Sequence, residues 1–281
     1  MIPKGKLIII GGKEDKLNDY VEMEGKNKDF KANEILKMIV SKNDDRIEVI
    51  TTATSEPADT EKSYSKIFKH LGYTNFGFLY ITDGEKSDPE VLERVKNAKT
   101  IFFSGGDQCK ICEILRDTEV EELIHKKYDE ESGFVVAGTS AGAMCMGSVM
   151  IGGAENGEAI LANDIDMDKG LGLLNCIIDT HFVSRGRFGR LAHANVLNPE
   201  LLGIGLGEDT SLIVENGNVA TCRGSGMVIL LDAKHIKKTN AQSAEKGHPV
   251  YAENIIVNIV TDGCQINLLD GSFNPDKKDT K

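Results

Sequence analysis

Short apolar runs alternate with amphipathic segments through the first half of the chain. The runs of four to six apolar residues predict strands that are buried on both faces, at Leu7–Ile10, Ile47–Ile50, Phe76–Ile81, Thr100–Phe103 and Phe134–Ala137. Between them, apolar residues at helical spacing predict helices at Phe30–Val40, Thr60–Leu71, Pro89–Asn97 and Cys109–Lys127, the last broken near Asp117. This order predicts an α/β fold with a mostly parallel sheet covered by helices on both faces.

The second half is less regular and richer in predicted strands. A strand ends at Ile177–Asp179, a helix follows near Arg187–Val196, and later strands are predicted at Ile204–Leu206, Ser211–Val214, Val219–Cys222, Met227–Leu231, Ile255–Val260 and Gln265–Leu269. The last two are expected to form a hairpin around Asp262-Gly263. Without a repeat or a linker, we predict one catalytic α/β domain over 1–273 and a frayed polar tail over 274–281.

Composition and charge narrow the classes of partner. The 281 residues are 40% hydrophobic and 27% charged, an ordinary globular composition, and the net charge is −11. Such an acidic chain is poorly suited to nucleic acid or anionic membranes, so a bound anion needs a local basic pocket. No apolar run approaches the length of about 20 residues that spans a membrane, and Leu7–Ile10 is too short for a signal peptide. We therefore expect a cytoplasmic protein.

The six cysteines are scattered, unlike those of a disulfide framework. Cys109 and Cys112 form a single C-x-x-C, but no second ligand pair has convincing spacing for zinc. Helix packing is favoured over a redox role, because cysteines are readily buried as small hydrophobes. No metal or cofactor is predicted.

The richest motif is Gly138-Thr139-Ser140-Ala141-Gly142-Ala143, directly after the strand Phe134–Ala137. A strand that turns on small residues into a helix, with one serine at the bend, matches the G-x-S-x-G nucleophile elbow. Such an elbow predicts acyl transfer through a covalent serine intermediate. A tight turn without chemistry uses the same small residues, so the rest of the chain must supply a base and an acid.

His181 is the best candidate base, because it follows an apolar strand and should emerge at a strand end as Ser140 does. Glu208, after the glycine-rich strand end at Gly203–Gly207, is the preferred acid, and Asp179 is a second candidate. The order serine, histidine, acid differs from the serine, acid, histidine order of α/β-hydrolases, which is the less favoured alternative.

Two further features surround these residues. The backbone amides of Ala141 and Gly106 are candidate oxyanion donors, although an ordinary turn also explains a glycine at 106. Arg185, Arg187 and Arg190 form a local positive patch suited to carboxylates or phosphates. A solvated helix face is the plainer interpretation of the patch, and a non-enzymatic anion-binding module is the alternative class of function.

Taken in order, several segments resemble the cyanophycinase family, serine peptidases related to dipeptidase E. The resemblance runs from the first strand to about Val214 and rests on Gly11–Asp15, Phe102–Gln108, Gly138–Ala143, Ile178–Phe182 and the three arginines. It implies a three-layer, glutamine-amidotransferase-like (flavodoxin-like) fold with extra C-terminal strands, and a homodimer. It also implies hydrolysis of cyanophycin, a poly-aspartate chain with arginine on each β-carboxyl, to β-Asp-Arg dipeptides.

The resemblance also implies roles for individual residues. Ser140 would be the nucleophile, His181 the base and Glu208 the acid, and the substrate pocket would be lined by Gln108, Asp179, Thr180, Arg185, Arg187 and Arg190. In this pocket Asp179 would pair with a substrate guanidinium, and the arginines would hold carboxyl groups. Thr180 departs from the glutamine that the family commonly carries before the histidine, and it reaches less far. A dipeptidase E-like aspartyl dipeptidase is the nearer alternative.

Overall fold

The computed structural model describes residues 2–14, 33–154 and 160–275. Its first half alternates strands and helices: β1 (Lys6–Ile10), α1 (Glu34–Lys37), β2 (Ile47–Ile50), α2 (Pro57–His70), β3 (Phe76–Leu79), α3 (Pro89–Asn97), β4 (Thr100–Phe103), α4 (Gln108–Leu115), α5 (Glu119–Glu130), β5 (Val135–Thr139) and α6 (Ala141–Met144). The predicted strands are confirmed, as is the helix break near Asp117. The predicted helix at Phe30–Val40 is reduced to α1 in its described part, and residues 30–32 lie outside the described ranges.

The second half is dominated by strands. Its elements are β6 (Gly147–Ala154), β7 (Ile165–Lys169), β8 (Leu174–Asp179), α7 (Phe188–Leu197), β9 (Leu202–Leu206), β10 (Thr210–Glu215), β11 (Val219–Gly224), β12 (Val228–Asp232), β13 (Lys238–Thr239), β14 (Ala252–Glu253), β15 (Ile256–Val260), β16 (Gln265–Asn267) and β17 (Phe273–Asn274). The predicted polar tail overlaps β17 at Asn274, and its residues 276–281 lie outside the described ranges. Among the described helices, none is long and apolar enough to cross a membrane.

Nine strands form the larger sheet, in the order β17-β16-β11-β10-β1-β5-β4-β2-β3. The five strands from β1 to β3 in this order are parallel, while β10 joins β1 in antiparallel register. All residues of β2, β4 and β5 are buried, which explains why their sequences are mostly apolar rather than alternating. The exception in β2 is Glu48, whose buried carboxylate pairs with Arg46 and Arg94. The mostly parallel central sheet is therefore confirmed.

A second sheet of six strands was not predicted; its order is β15-β12-β9-β8-β6-β7. The predicted hairpin around Asp262-Gly263 is wrong, because β15 pairs with β12 in this sheet whereas β16 pairs with β11 in the larger one. The turn itself is present, with Gly263 at a φ of 87°. It carries the chain from one sheet to the other, and turn residues alone do not identify the partner strands.

The two faces of β1 enter different apolar layers. Ile8 and Ile10 pack with α1, α2 and the neighbouring strands on one side of the larger sheet. Leu7 and Ile9 belong to a cluster that also contains residues of α3 to α5 and of β8, β9 and β12, so it joins the two sheets. Helix α7 covers the other face of the smaller sheet. The carboxyl end of β1 is consequently fixed from both sides.

Candidate active site

Ser140 occupies a strained turn between β5 and α6. Its φ of 54° and ψ of −117° lie outside the regions that non-glycine residues ordinarily adopt. The glycines on either side allow the turn: a Cβ at Gly138 would collide with the Gly142 carbonyl, and one at Gly142 with the Phe103 carbonyl. Strain of this kind persists where the surroundings hold it, and it points the side chain out of the backbone.

Ser140, His181 and Glu208 are joined by a continuous line of hydrogen bonds. The Ser140 Oγ lies 2.9 Å from His181 Nε2, and His181 Nδ1 lies 2.8 Å from Glu208 Oε1. A carboxylate accepts from Nδ1–H, which leaves Nε2 as the acceptor for the serine proton. The structure thus brings together the three residues that the sequence predicted, and Glu208 rather than Asp179 contacts the imidazole.

The three residues come from both sheets. Ser140 follows β5 of the larger sheet and His181 follows β8 of the smaller one, while Glu208 lies in the connection from β9 to β10, where the chain passes between the sheets. The site therefore lies where the carboxyl ends of strands from both sheets meet, a usual position for ligand binding in α/β folds.

Three consecutive carbonyls at the end of β1 hold these loops in place. The backbone amides that they accept come from the nucleophile, the base and the residue after the acid: Ser140 N to Ile10 O at 3.0 Å, His181 N to Gly11 O at 2.8 Å, and Asp209 N to Gly12 O at 2.8 Å. In the sequence the Gly11-Gly12 pair contributes only to the family resemblance. In the structure its two carbonyls hold the loops of His181 and Glu208 in place.

Glu208 has two further partners that sequence reasoning missed. Its Oε1 accepts a hydrogen bond from Ser184 Oγ at 3.0 Å and lies 3.2 Å from the Lys13 Nζ. Burial would raise the pKa of the Glu208 carboxyl, but the hydrogen bonds from His181, Lys13 and Ser184 outweigh it and lower that pKa. The carboxylate therefore stays ionised and can orient the imidazole.

The pKa of His181 is lowered, chiefly by burial. The hydrogen bond to Glu208 raises that pKa, and the nearby Arg185 cation lowers it. The imidazole is consequently neutral near pH 7, which is the form that can accept a proton from the serine.

The two predicted oxyanion donors border the serine. Ala141 is the first residue of α6, so its amide has no carbonyl within that helix to donate to. The turn at Gly105-Gly106 lies against the nucleophile, because a Cβ built on Gly105 would stand 3.5 Å from the Ser140 Cβ. Gly106 has a φ of 142°, and a Cβ there would collide with the Ala53 carbonyl, so only glycine fits.

The predicted substrate residues divide into two groups. Asp179 is fully buried and accepts from Arg190 Nε at 2.6 Å and from Arg187 Nη1 at 3.2 Å. Its predicted pairing with a substrate guanidinium is therefore not available in this arrangement. Thr180 is also fully buried, and its Oγ1 has no hydrogen-bond partner in the described ranges, so it does not line a pocket as predicted. These two corrections follow from burial.

Arg185 and Gln108 remain accessible. Arg185 is exposed and forms no ion pair with any described residue. The other two arginines, Arg187 and Arg190, both pair with Asp179. Gln108 begins α4, and its Nε2 donates to the Ile151 and Gly152 carbonyls at 2.8 and 2.9 Å. Its amide nitrogen is thus fixed to β6, and its Oε1 is the atom left for a ligand.

A cavity of about 340 Å³ opens beside the serine. Its lining comes from the turns after β1 and β4, from α2 and from the elbow: Lys13, Glu14, Asp59, Thr60, Ser63, Tyr64, Gly105, Thr139 and Ser140.

Across residues 2–14, 33–154 and 160–275, no group of three or more His, Cys, Asp and Glu side chains could hold a metal ion.

Comparison with known proteins identifies relatives over most of the chain. The sequence profile described as Peptidase family S51 matches residues 20–222. A cyanophycinase from Trichormus variabilis is 32% identical over 270 residues, which cover 94% of this chain and 86% of that protein. A cyanophycinase from Geminocystis herdmanii is 32% identical over 269 residues, which cover 94% of each.

Two solved structures share the fold. A peptidase from an acI-B1 Actinobacterium matches with a TM-score of 0.63 at 21% identity, covering 94% of this chain and 97% of that one. A Listeria monocytogenes protein described as a peptidase E matches with a TM-score of 0.51 at 13% identity, covering 78% and 98% respectively. The predicted glutamine-amidotransferase-like fold with extra C-terminal strands is thereby confirmed.

Proposed function

Because the chain belongs to peptidase family S51, we propose that it is a serine peptidase that hydrolyses cyanophycin to β-Asp-Arg dipeptides. The observation that carries the chemistry is the line of hydrogen bonds from Glu208 through His181 to Ser140. The substrate is proposed from the relatives named cyanophycinase, which match along 94% of the chain.

In the proposed reaction, Ser140 Oγ attacks the α-peptide carbonyl of a β-substituted aspartyl residue. His181 Nε2 takes the serine proton as the C–O bond forms, and Glu208 stabilises the imidazolium through Nδ1–H. The amides of Ala141 and Gly106 donate to the oxyanion of the tetrahedral intermediate. His181 then protonates the leaving amine, and the C–N bond breaks to give an acyl-enzyme. A water molecule, deprotonated by His181, hydrolyses this ester and restores the serine.

Charge around the site supports a zwitterionic substrate. Each β-Asp-Arg unit carries one carboxylate and one guanidinium, and Arg185 is accessible for the carboxylate. Gln108 Oε1 is a further acceptor beside β6. Arg187 and Arg190 act as positioning residues in this proposal, because both contact Asp179 directly before the loop that carries His181.

The test is product analysis with matched variants. Purified protein is incubated with cyanophycin and, separately, with Asp-X dipeptides, and the products are identified by mass spectrometry. We expect β-Asp-Arg from cyanophycin, no turnover by Ser140→Ala, and wild-type turnover by Ser243→Ala, which changes an exposed serine remote in sequence from the site. Release of product from Asp-X alone would assign the chain to the dipeptidase E-like alternative. Undiminished turnover by Ser140→Ala would exclude the mechanism.

Further properties are proposed with this function. We expect a homodimer on the resemblance, and a cytoplasmic location without nucleic-acid or membrane partners on the charge and hydropathy of the sequence. We also expect residues 1–273 to unfold as one domain, since one apolar cluster joins the two sheets. Size-exclusion chromatography with light scattering tests the homodimer. A single cooperative melting transition tests the single domain.

A further inference from the structure

The burial of Asp179 leaves the proposed substrate without the acceptor that the sequence suggested for its guanidinium. Both carboxylate oxygens of Asp179 are engaged by Arg187 and Arg190, and the residue is not exposed. A guanidinium on the residue attacked by Ser140 must therefore find another partner close to the serine.

The described lining of the cavity beside Ser140 holds two carboxylates, Glu14 and Asp59, and one cation, Lys13. The one cation in its described lining, Lys13, already lies 3.2 Å from Glu208. Glu14 is buried in the wall, where its carboxylate accepts hydrogen bonds from Tyr64 Oη at 2.7 Å and from Thr139 Oγ1 at 2.5 Å. Burial is the largest cause that raises the pKa of the Tyr64 phenol, and the negative charge of Glu14 raises it further. Within this described lining, a cationic group is favoured over an anionic one.

Asp59 is the accessible carboxylate of this cavity. It lies in the first turn of α2 and is exposed. The helix dipole stabilises a negative charge at that position. Ser63 is four residues further along and lies on the same face of the helix, so its hydroxyl adds a neutral acceptor one turn away. An acidic group with adjacent hydroxyls suits a planar guanidinium, which presents several donors in a fixed arrangement.

We propose that this cavity binds the guanidinium of the β-linked arginine on the aspartyl residue that acylates Ser140, with Asp59 as its ionic partner. The inference rests on the proposed function for the identity of the acyl group. It adds a specificity-determining carboxylate on α2. Substrate aspartyl residues with a neutral or anionic β-substituent would lack the ionic contact with Asp59.

Binding measurements on an inactive protein test the subsite apart from catalysis. The Ser140→Ala protein is titrated calorimetrically with β-Asp-Arg and with β-Asp-citrulline, whose ureido group has a similar shape without the charge. We expect tighter binding of β-Asp-Arg, and a loss of about 10-fold in its affinity on adding Asp59→Asn, as expected for one charge-assisted hydrogen bond. Glu56→Gln is the control, because it removes an equal charge beside the same helix end without lining the cavity.

The outcomes separate the subsite from the overall function. Equal affinity for the two ligands, no detectable binding of either, or an equal loss in Asp59→Asn and Glu56→Gln would overturn the subsite, even if cyanophycin is hydrolysed. A preference for arginine that depends on Asp59 would support it, even if the intact polymer is not cleaved. In the active protein, Asp59→Asn should raise KM for cyanophycin by about 10-fold, whereas Glu56→Gln, outside the cavity lining, should leave that KM unchanged.

Discussion

Replacing Gly12 by alanine should disconnect the imidazole from the serine. Gly12 has a φ of 97°, and its α-carbon faces the ring of His181. A Cβ at this position would stand closer than 3.0 Å to both Cε1 and Nε2, whereas ordinary van der Waals contact begins at 3.4 Å. To reach ordinary contact the ring must therefore withdraw by roughly 1 Å, because the alternative is to break the backbone hydrogen bonds that fix both loops.

The effect on turnover follows from the Ser140–His181 distance. A hydrogen bond of 2.9 Å that lengthens by this amount exceeds the distance at which hydrogen bonding is useful. Since a misplacement of about 1 Å costs on the order of 100-fold in rate, we expect kcat to fall by about 10- to 100-fold with little change in KM. Labelling of Ser140 by a serine-directed phosphonate should slow in parallel, which gives a readout independent of the peptide substrate.

A second glycine provides the matched control. Gly133 has a φ of 82°, but a Cβ built there meets no atom within 4 Å. Both alanine variants therefore carry the backbone strain, of roughly 1–2 kcal/mol, while Gly12→Ala alone crowds the ring. We expect Gly133→Ala to lower the free energy of unfolding and to retain wild-type kcat. If Gly12→Ala is as active as Gly133→Ala, the close packing of glycine against the imidazole does not matter for catalysis.

Two other perturbations probe charge around the site. The value of kcat/KM should rise with pH through the pKa of His181, because only the neutral ring accepts the serine proton; burial holds this pKa below the ordinary 6.5. The Arg185 cation also lowers this pKa, so Arg185→Gln should move the rising limb of the pH profile to higher pH. A limb that does not move would contradict the assignment of His181 as the base. Asp179→Asn should lower the free energy of unfolding, measured in urea, by about 3–5 kcal/mol, because it leaves two half-buried guanidinium groups without their anion. Glu215→Gln, at the exposed pair with Lys6, should cost less than about 1 kcal/mol, and equal losses in the two variants would refute the difference.

The parallel sheet could be predicted because its central strands β1, β4 and β5 are buried on both faces and therefore consist mostly of apolar residues in succession. Two strands of the smaller sheet carry no such signal. Gly147–Ala154 contains three glycines, and Ile165–Lys169 places aspartates between its apolar residues. Their pairing with each other and with β8 comes from tertiary contacts, which override weak local preferences.

The candidate triad could be predicted because each member follows a recognisable strand end. The surroundings of Glu208 could not, since Lys13 and Ser184 approach it from loops far apart in sequence. The fate of Asp179 was foreseeable in part, because arginines eight and eleven residues later can fold back on it. Burying an unpaired carboxylate costs free energy, so an acid in an apolar strand is more stable when nearby arginines of the same chain pair with it than when it waits for a ligand.

The position of β1 explains how so strained a site can be stable. Ser140 and His181 have φ values of 54° and 48°, and Asp209, beside the acid, has 50°. Each of these residues donates its amide to one of the three carbonyls that follow one another at the end of β1. That strand pairs with β5 on one side and β10 on the other, so it is among the segments of the sheet with least freedom to open. The loops that carry the nucleophile, the base and the acid are therefore held in position by main-chain hydrogen bonds to one rigid strand. Such an arrangement sets the reacting atoms before the substrate binds, and it lets the pocket walls on α2 and beside α7 vary without disturbing the hydrogen-bonded line.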